Sequence, residues 1–147
     1  MIGEEAVDRY LNGTISDLYD GMLMKDMDKA IDILKEKILE DKKIRVIGDY
    51  DIDGVNATYI LLGGLERLGA DVDSDIPDRI SDGYGLNRHL VERAYEAGVD
   101  TLITCDNGIA AADEIAYGKE MGMTVIVTDH HEVPFDEYDG EKRYRIP

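Results

Sequence analysis

Residues 44–47, 70–76, 101–104 and 124–128 form four short runs of β-type composition, and segments of helical character at about 55–68, 88–97 and 110–121 fill the spaces between them. Gly69, Gly98 and Gly122 follow those segments, where a helix commonly ends in a left-handed residue that glycine adopts without steric penalty. Strand and helix alternating at this spacing predict βαβ units, a parallel sheet and right-handed crossovers. The expected fold is a three-layer α/β domain, Rossmann-like, with helices on both faces of the sheet.

Ahead of the first strand the pattern is looser. Val7, Tyr10, Leu11, Ile15, Leu18, Tyr19, Met22 and Leu23 follow no sustained period and read as a short helix and an irregular arm. From Asp26, placed as a cap, Met27, Ala30, Ile31, Leu34, Ile38 and Leu39 share one helical face. The organisation expected is a helical arm over residues 1–43 packed on a domain of residues 44–147. The last stretch, 133–147, is polar with scattered aromatics and reads as a cut within a longer chain.

A length of 147 residues bounds this to one core. No apolar run approaches the roughly 20 residues of a membrane helix. The acidic N-terminus lacks the basic start of a signal peptide. One cysteine, Cys105, excludes an internal disulfide and fits a reducing compartment, so a cytoplasmic protein without membrane contact is expected. Sixteen basic against 33 acidic residues give a net charge of −17. Such a surface repels polyanions unless bound metal neutralises some of the acids or a basic surface lies elsewhere.

In an open parallel sheet, ligands sit outside the carboxyl ends of the strands. The loops leaving the first, third and fourth strands are Asp49-Tyr50-Asp51-Ile52-Asp53, Cys105-Asp106-Asn107-Gly108 and Asp129-His130-His131. Singly, each has a plain reading: Asp49 and Asp53 as caps of a turn and a helix start, Asp106-Asn107-Gly108 as a turn, and His130-His131 as surface or satisfied histidines. Three on one edge call for a divalent cation, because clustered carboxylates repel unless neutralised. Mixed Asp/His ligation without thiolate suits Mn²⁺, ahead of Mg²⁺, Fe²⁺ or Zn²⁺. The donor set exceeds the needs of one ion; two ions about 3.5–4 Å apart, sharing a carboxylate, suit in-line attack on a phosphate ester. Cys105 alternates away from Asp106 and reads as buried and structural.

The second strand's exit, from Pro77 to Asn87, carries no such cluster. It offers Arg79 for a phosphate and Tyr84 for stacking on a base, between glycines that allow close backbone approach. An ordinary glycine-rich loop capped by Asn87 explains those residues equally well.

Taken together, Asp49-Tyr50-Asp51-Ile52-Asp53-Gly54, Arg79 with Gly83-Tyr84-Gly85, Asp106-Asn107-Gly108-Ile109 and Asp129-His130-His131 resemble the successive motifs of the DHH phosphoesterases. The glycine-rich loop is most similar to the RecJ branch, the single-strand-specific 5′→3′ DNA exonucleases. Ser16-Asp17-Leu18 and Leu23-Met24-Lys25-Asp26-Met27 are similar to that branch's lead-in, so the resemblance covers nearly the whole chain.

The resemblance implies metal-dependent phosphodiester hydrolysis on single-stranded DNA, in DNA repair and recombination. It implies Asp51, Asp53, Asp106 and His130 as ligands of two Mn²⁺ ions, with Asp106 bridging and Mg²⁺ as the alternative metal. Asp49 would ligate, or hydrogen-bond, where other branches place a histidine; position 47 here is Ile47. His131 would contact the scissile phosphate, Asp129 would orient the histidine pair, and Arg79, Tyr84 and Asn107 would line the substrate path. A further aspartate ligand and a smaller DNA-gripping domain are expected beyond Pro147, so the chain alone is expected to bind metal weakly and to cut poorly.

Two rivals stand beside the exonuclease. One is a DHH phosphodiesterase or oligoribonuclease on short oligonucleotides or cyclic dinucleotides. The other is a non-catalytic nucleic-acid-binding module of a replication factor, against which every metal-type position in these motifs is filled. A dinucleotide-binding sheet is disfavoured, since no Gly-x-Gly-x-x-Gly follows the first strand.

Overall fold

The computed structural model describes residues 3–80 and 83–147; Ser81 and Asp82 of the glycine-rich loop lie outside the described residues. The chain divides within one helix into two compact units, the first running to Ile33 and the second from Leu34 to Pro147. The first unit holds α1 (Glu4–Asn12) and two 3-10 turns, Ile15–Asp17 and Gly21–Leu23. Thr14 and Asp17 close a capping box on the first turn, and Asp20 accepts from the Met22 amide on the second. The helix that crosses the division, α2, spans Met27–Leu39, as its apolar period predicts. Asp26 takes a left-handed φ of 56° before it, and its carbonyl accepts from the Ala30 amide.

The second unit carries β1 (Ile44–Ile47), α3 (Ile52–Arg67), β2 (Val72–Asp75), α4 (Arg88–Glu96), β3 (Thr101–Cys105), α5 (Ala112–Glu120) and β4 (Thr124–Thr128). The four strands form one parallel sheet in the order β2-β1-β3-β4. Gly69, Gly98 and Gly122, after α3, α4 and α5, all have the positive φ expected of left-handed helix ends. β2 is shorter than its apolar run because Ile76 leads into the buried Pro77, which cannot donate to a ladder.

The chain steps one way from β1 to β2 and the other way from β2 to β3, so right-handed crossovers place α3 on one face and α4 and α5 on the other. The α4/α5 face holds the main core, where Leu90, Val91 and Ala94 of α4 and Ile115 of α5 pack on Ile47 and Leu102. Leu90 and Leu102 are fully buried, and each such side chain contributes about 1.5–3 kcal/mol. On the opposite face Thr58 of α3 meets Cys105, Oγ1 to Sγ at 3.4 Å, so the cysteine is buried and structural as expected. The central strands β1 and β3 are covered on both sides, and every residue of them but Arg45 is buried.

The segment after β4 differs from expectation. Phe135–Tyr138 (β5) and Glu141–Tyr144 (β6) form an antiparallel hairpin. Asp139 and Gly140 turn it with φ of 53° and 80°, the two positive values that a tight two-residue hairpin turn demands. Among the described residues no helix is long and apolar enough to cross a membrane.

Candidate metal centre

β1 and β3 are adjacent, and the crossovers leave them in opposite directions, so the crevice of the sheet opens between their carboxyl ends. The register pairs Ile47 with Thr104 and Cys105 with Thr128, which sets the exits of β1, β3 and β4 level. Asp49, Asp106 and Asp129 therefore leave the sheet at one edge.

Asp49 is fully buried, and neither carboxylate oxygen has a hydrogen-bond partner. Burial raises its pKa first, and the charges of Asp51 and Asp106 add to the rise; the amides of Tyr50 and Gly85 pull the other way without reaching hydrogen-bond geometry. Gly54 keeps it there. A Cβ on Gly54 would lie 2.6–2.7 Å from the Asp49 backbone and Cβ, so only glycine lets the first turn of α3 close onto this loop.

Asp51 is the N-cap of α3. One of its oxygens accepts from the amides of Asp53 (3.1 Å) and Gly54 (2.9 Å), and the helix starts three residues earlier than its apolar run suggests. Asp53 is exposed in the first turn. The cap is thus Asp51, where the plain structural reading had Asp49 and Asp53.

Asp106 sits at a φ of 62° at the end of β3, a conformation uncommon outside glycine and concentrated at functional turns. Its amide donates to the Thr128 carbonyl, which ties the turn to β4. The buried Asp106 carboxylate lies 2.7 Å from Nε2 of the exposed His130. Asp106, His130 and His131 each offer a ligand atom within 4.8 Å of the others; Asp49, Asp51 and Asp53 stand outside this set.

Asp129 is buried and satisfied. Its oxygens accept from the Ile109 amide (2.9 Å), the His131 amide (3.1 Å) and His131 Nδ1 (2.7 Å). Burial pushes its carboxyl up, but those three donors together outweigh it and hold the pKa low. The His131 pKa is raised, chiefly by the Asp129 hydrogen bond, with burial opposing and the charges of Asp129, Asp106 and Asp49 adding.

The loop after β2 reaches across the same edge. Tyr84 Oη lies 3.1 Å from His131 Nε2, although β2 and β4 are the two outer strands of the sheet. Burial raises the Tyr84 pKa, and the charges of Asp49, Asp106, Asp51 and Asp129 each add to the rise. Arg79, Tyr50, Tyr84, His131 and His130 form a row: the Arg79 guanidinium is 5.4 Å from the Tyr50 ring centroid, and successive rings are 6.0, 6.1 and 4.7 Å apart. This row had no local signal, because its members are far apart in sequence.

Asn107 is 2% exposed, and its amide donates to the carbonyls of Ile47 (3.1 Å) and Cys105 (3.0 Å), clamping β1 to β3 at the crevice. That clamp was not foreseen from sequence.

The donor set fits a divalent cation. An orphaned buried carboxylate, a buried Asp106 and two imidazoles on one edge are the oxygen and nitrogen donors that such an ion takes.

Residues 43–144 match the DHH family, N-terminal domain. The single-stranded-DNA-specific exonuclease RecJ of Bacillus subtilis is 44% identical over 87% of this chain, which spans 16% of that protein. RecJ of Haemophilus influenzae is 38% identical over 84% of this chain, which spans 22% of it. The chain therefore covers well under two thirds of the curated relatives' length. A crystal structure of exonuclease RecJ bound to manganese matches with a TM-score of 0.70 at 43% identity, over 74% of this chain and 28% of that one. RecJ from Thermus thermophilus in complex with Mn²⁺ matches with a TM-score of 0.61 at 39% identity, over 75% of this chain and 15% of that one. With its motif loops converging on one sheet edge and the family matched across most of its length, the chain belongs to the DHH family through that family's N-terminal domain.

Proposed function

We propose that this chain is the metal-binding catalytic domain of an exonuclease that hydrolyses single-stranded DNA from its 5′ end and releases 5′-mononucleotides. The observation that carries this is the cluster of Asp106, His130 and His131 ligand atoms at the carboxyl edge of the sheet, where β1 also delivers the buried, unpartnered Asp49. Asp49, Asp51, Asp53, Asp106 and His130 would hold two Mn²⁺ ions, with Mg²⁺ as a substitute. Bound there, the cations supply neutralising charge, a lowered water pKa and stabilisation of the departing oxygen.

The chain's own residues do the rest. Asp129 fixes His131 through Nδ1 and favours the imidazolium, whose Nε2–H would donate to a phosphate oxygen in place of the Tyr84 contact. Arg79, at the far end of the aromatic row, offers a planar cation to a neighbouring phosphate, and the ring of Tyr84 offers a stacking surface to a base. Asn107 keeps the β1 and β3 exits at fixed separation. Residues 44–147 form the catalytic domain, preceded by a helical arm over 1–43, and a smaller domain of the same polypeptide grips the DNA with the basic surface that a net charge of −17 denies this part. DNA repair and recombination in the cytoplasm are the setting such an activity serves.

The test uses the full-length polypeptide with Mn²⁺ on 5′-labelled single strands, duplexes and dinucleotides. Mononucleotides released from the single strand, and none from the duplex, are expected. Cleavage of dinucleotides alone would sink the assignment in favour of a short-oligonucleotide phosphodiesterase.

A further inference from the structure

His131 is held at both ring nitrogens, and only one of its partners lies in its own loop. Asp129, two residues away, accepts from Nδ1 at 2.7 Å. Tyr84, 47 residues away on the loop after β2, meets Nε2 at 3.1 Å. A carboxylate can only accept, so Nδ1 carries a proton, and Nε2 of the neutral ring presents a lone pair to which the phenol donates.

We propose that Tyr84 is a positioning residue for His131: its hydroxyl donates to Nε2 and fixes the swing of the imidazole that the Asp129 bond alone leaves free. A single hydrogen bond at Nδ1 anchors one corner of the ring. The second bond and the edge contact of the Tyr84 ring, with planes at 90°, define where Nε2 sits over Asp106. The loop is built to hold the phenol in place. Gly83 and Gly85 both have positive φ and reverse the chain on either side of Tyr84. Leu86, 6% exposed, then anchors the segment in the core. Tyr50 supports the outer side of the ring, edge-on at 6.0 Å. On the imidazolium the contact runs the other way, Nε2–H to the phenol oxygen, and an incoming phosphate oxygen would take the hydroxyl's place as acceptor. This deepens the exonuclease reading and rests on it only for the kinetic half of the test.

The test compares Tyr84→Phe with the unaltered protein. Phe keeps the ring, and with it the contacts to Tyr50 and any stacking on a base, and removes only the hydroxyl. Side-chain ¹⁵N spectra of the metal-free chain, recorded at alkaline pH where His131 is neutral, should show the Nδ1–H tautomer in both proteins. In Tyr84→Phe the Nε2 resonance should move downfield, toward that of a free pyridine-type nitrogen. In the full-length polypeptide with Mn²⁺ and single-stranded DNA, kcat should fall about 10-fold or more with KM unchanged, as for other orienting partners. An unchanged Nε2 resonance overturns the proposal, and so does a shifted resonance with kcat intact. A base-stacking role alone would leave Phe silent in both measurements. An unaltered protein without nuclease activity overturns the exonuclease reading instead, and the spectrum then decides the contact by itself.

Discussion

His130 Nε2 lies 2.7 Å from a carboxylate oxygen of Asp106, across the exits of the adjacent strands β4 and β3. One partner is 6% exposed in its side chain and the other 72%, so a buried, fixed acid faces an imidazole free to adjust. That asymmetry suits a ligand pair in which the acid sets the position and the histidine closes on the ion. Asp106→Ala should weaken Mn²⁺ binding by more than the roughly 100-fold typical of losing an outer partner, and abolish hydrolysis. Calorimetric titration with Mn²⁺ checks the first outcome and the nuclease assay the second; unaltered affinity would remove Asp106 from the site.

Gly54 closes α3 onto the Asp49 loop, and backbone cannot yield as a side-chain tip can. Gly54→Ala should therefore destabilise the metal-free chain by about 1–3 kcal/mol despite the better helix propensity of alanine. Urea unfolding measures it. A gain in stability would mean that the loop moves aside at little cost.

The β-strands and the edge they serve were legible because their signals are local. A change of period from helical to β-type marks each strand, and Gly69, Gly98 and Gly122 mark each helix end. The hairpin was missed: Asp139-Gly140 is a turn signal, but the many charges of the flanking runs hide their β alternation. What stayed hidden was long-range. Nothing near Asn107 announces that its amide bonds to the carbonyl of Ile47, 60 residues back, and nothing near Tyr84 points to His131. Asp51 was read as a ligand while its role as helix cap was missed, since one carboxylate can serve both.

Arg45 on β1 grips Asp73 on β2 with two bonds, Nε at 2.6 Å and Nη2 at 2.7 Å. The Arg45 hydrogen bond is the main cause of the low Asp73 pKa; burial opposes it, and Lys43 adds to it. A depressed carboxyl stabilises the fold above its unfolded pKa of about 3.9, and that contribution is lost as pH falls through the folded value. Asp73→Asn should cost up to about 1 kcal/mol at neutral pH, a modest figure because the Asp73 side chain is 35% exposed. The difference between the two proteins should vanish in acid. Urea midpoints across that range check it, and a gap that persists at low pH would assign the loss to packing.

Asp49 has the opposite sign. Its raised pKa means that the fold prefers the neutral carboxyl, so a penalty appears as pH rises above the unfolded value and is complete above the folded one. The Tyr50 and Gly85 amides offset only part of that penalty, which is present at neutral pH unless a cation sits against the carboxylate. Asp49→Asn should then stabilise the metal-free protein at neutral pH, by on the order of 1 kcal/mol. Mn²⁺ at about 100 times its Kd should stabilise the unaltered protein by roughly 2.7 kcal/mol and the variant by less. Thermal unfolding with and without Mn²⁺ measures both halves. If Asn destabilised the metal-free chain and left the Mn²⁺ response whole, Asp49 would be a structural acid and the ion would lie elsewhere on the edge.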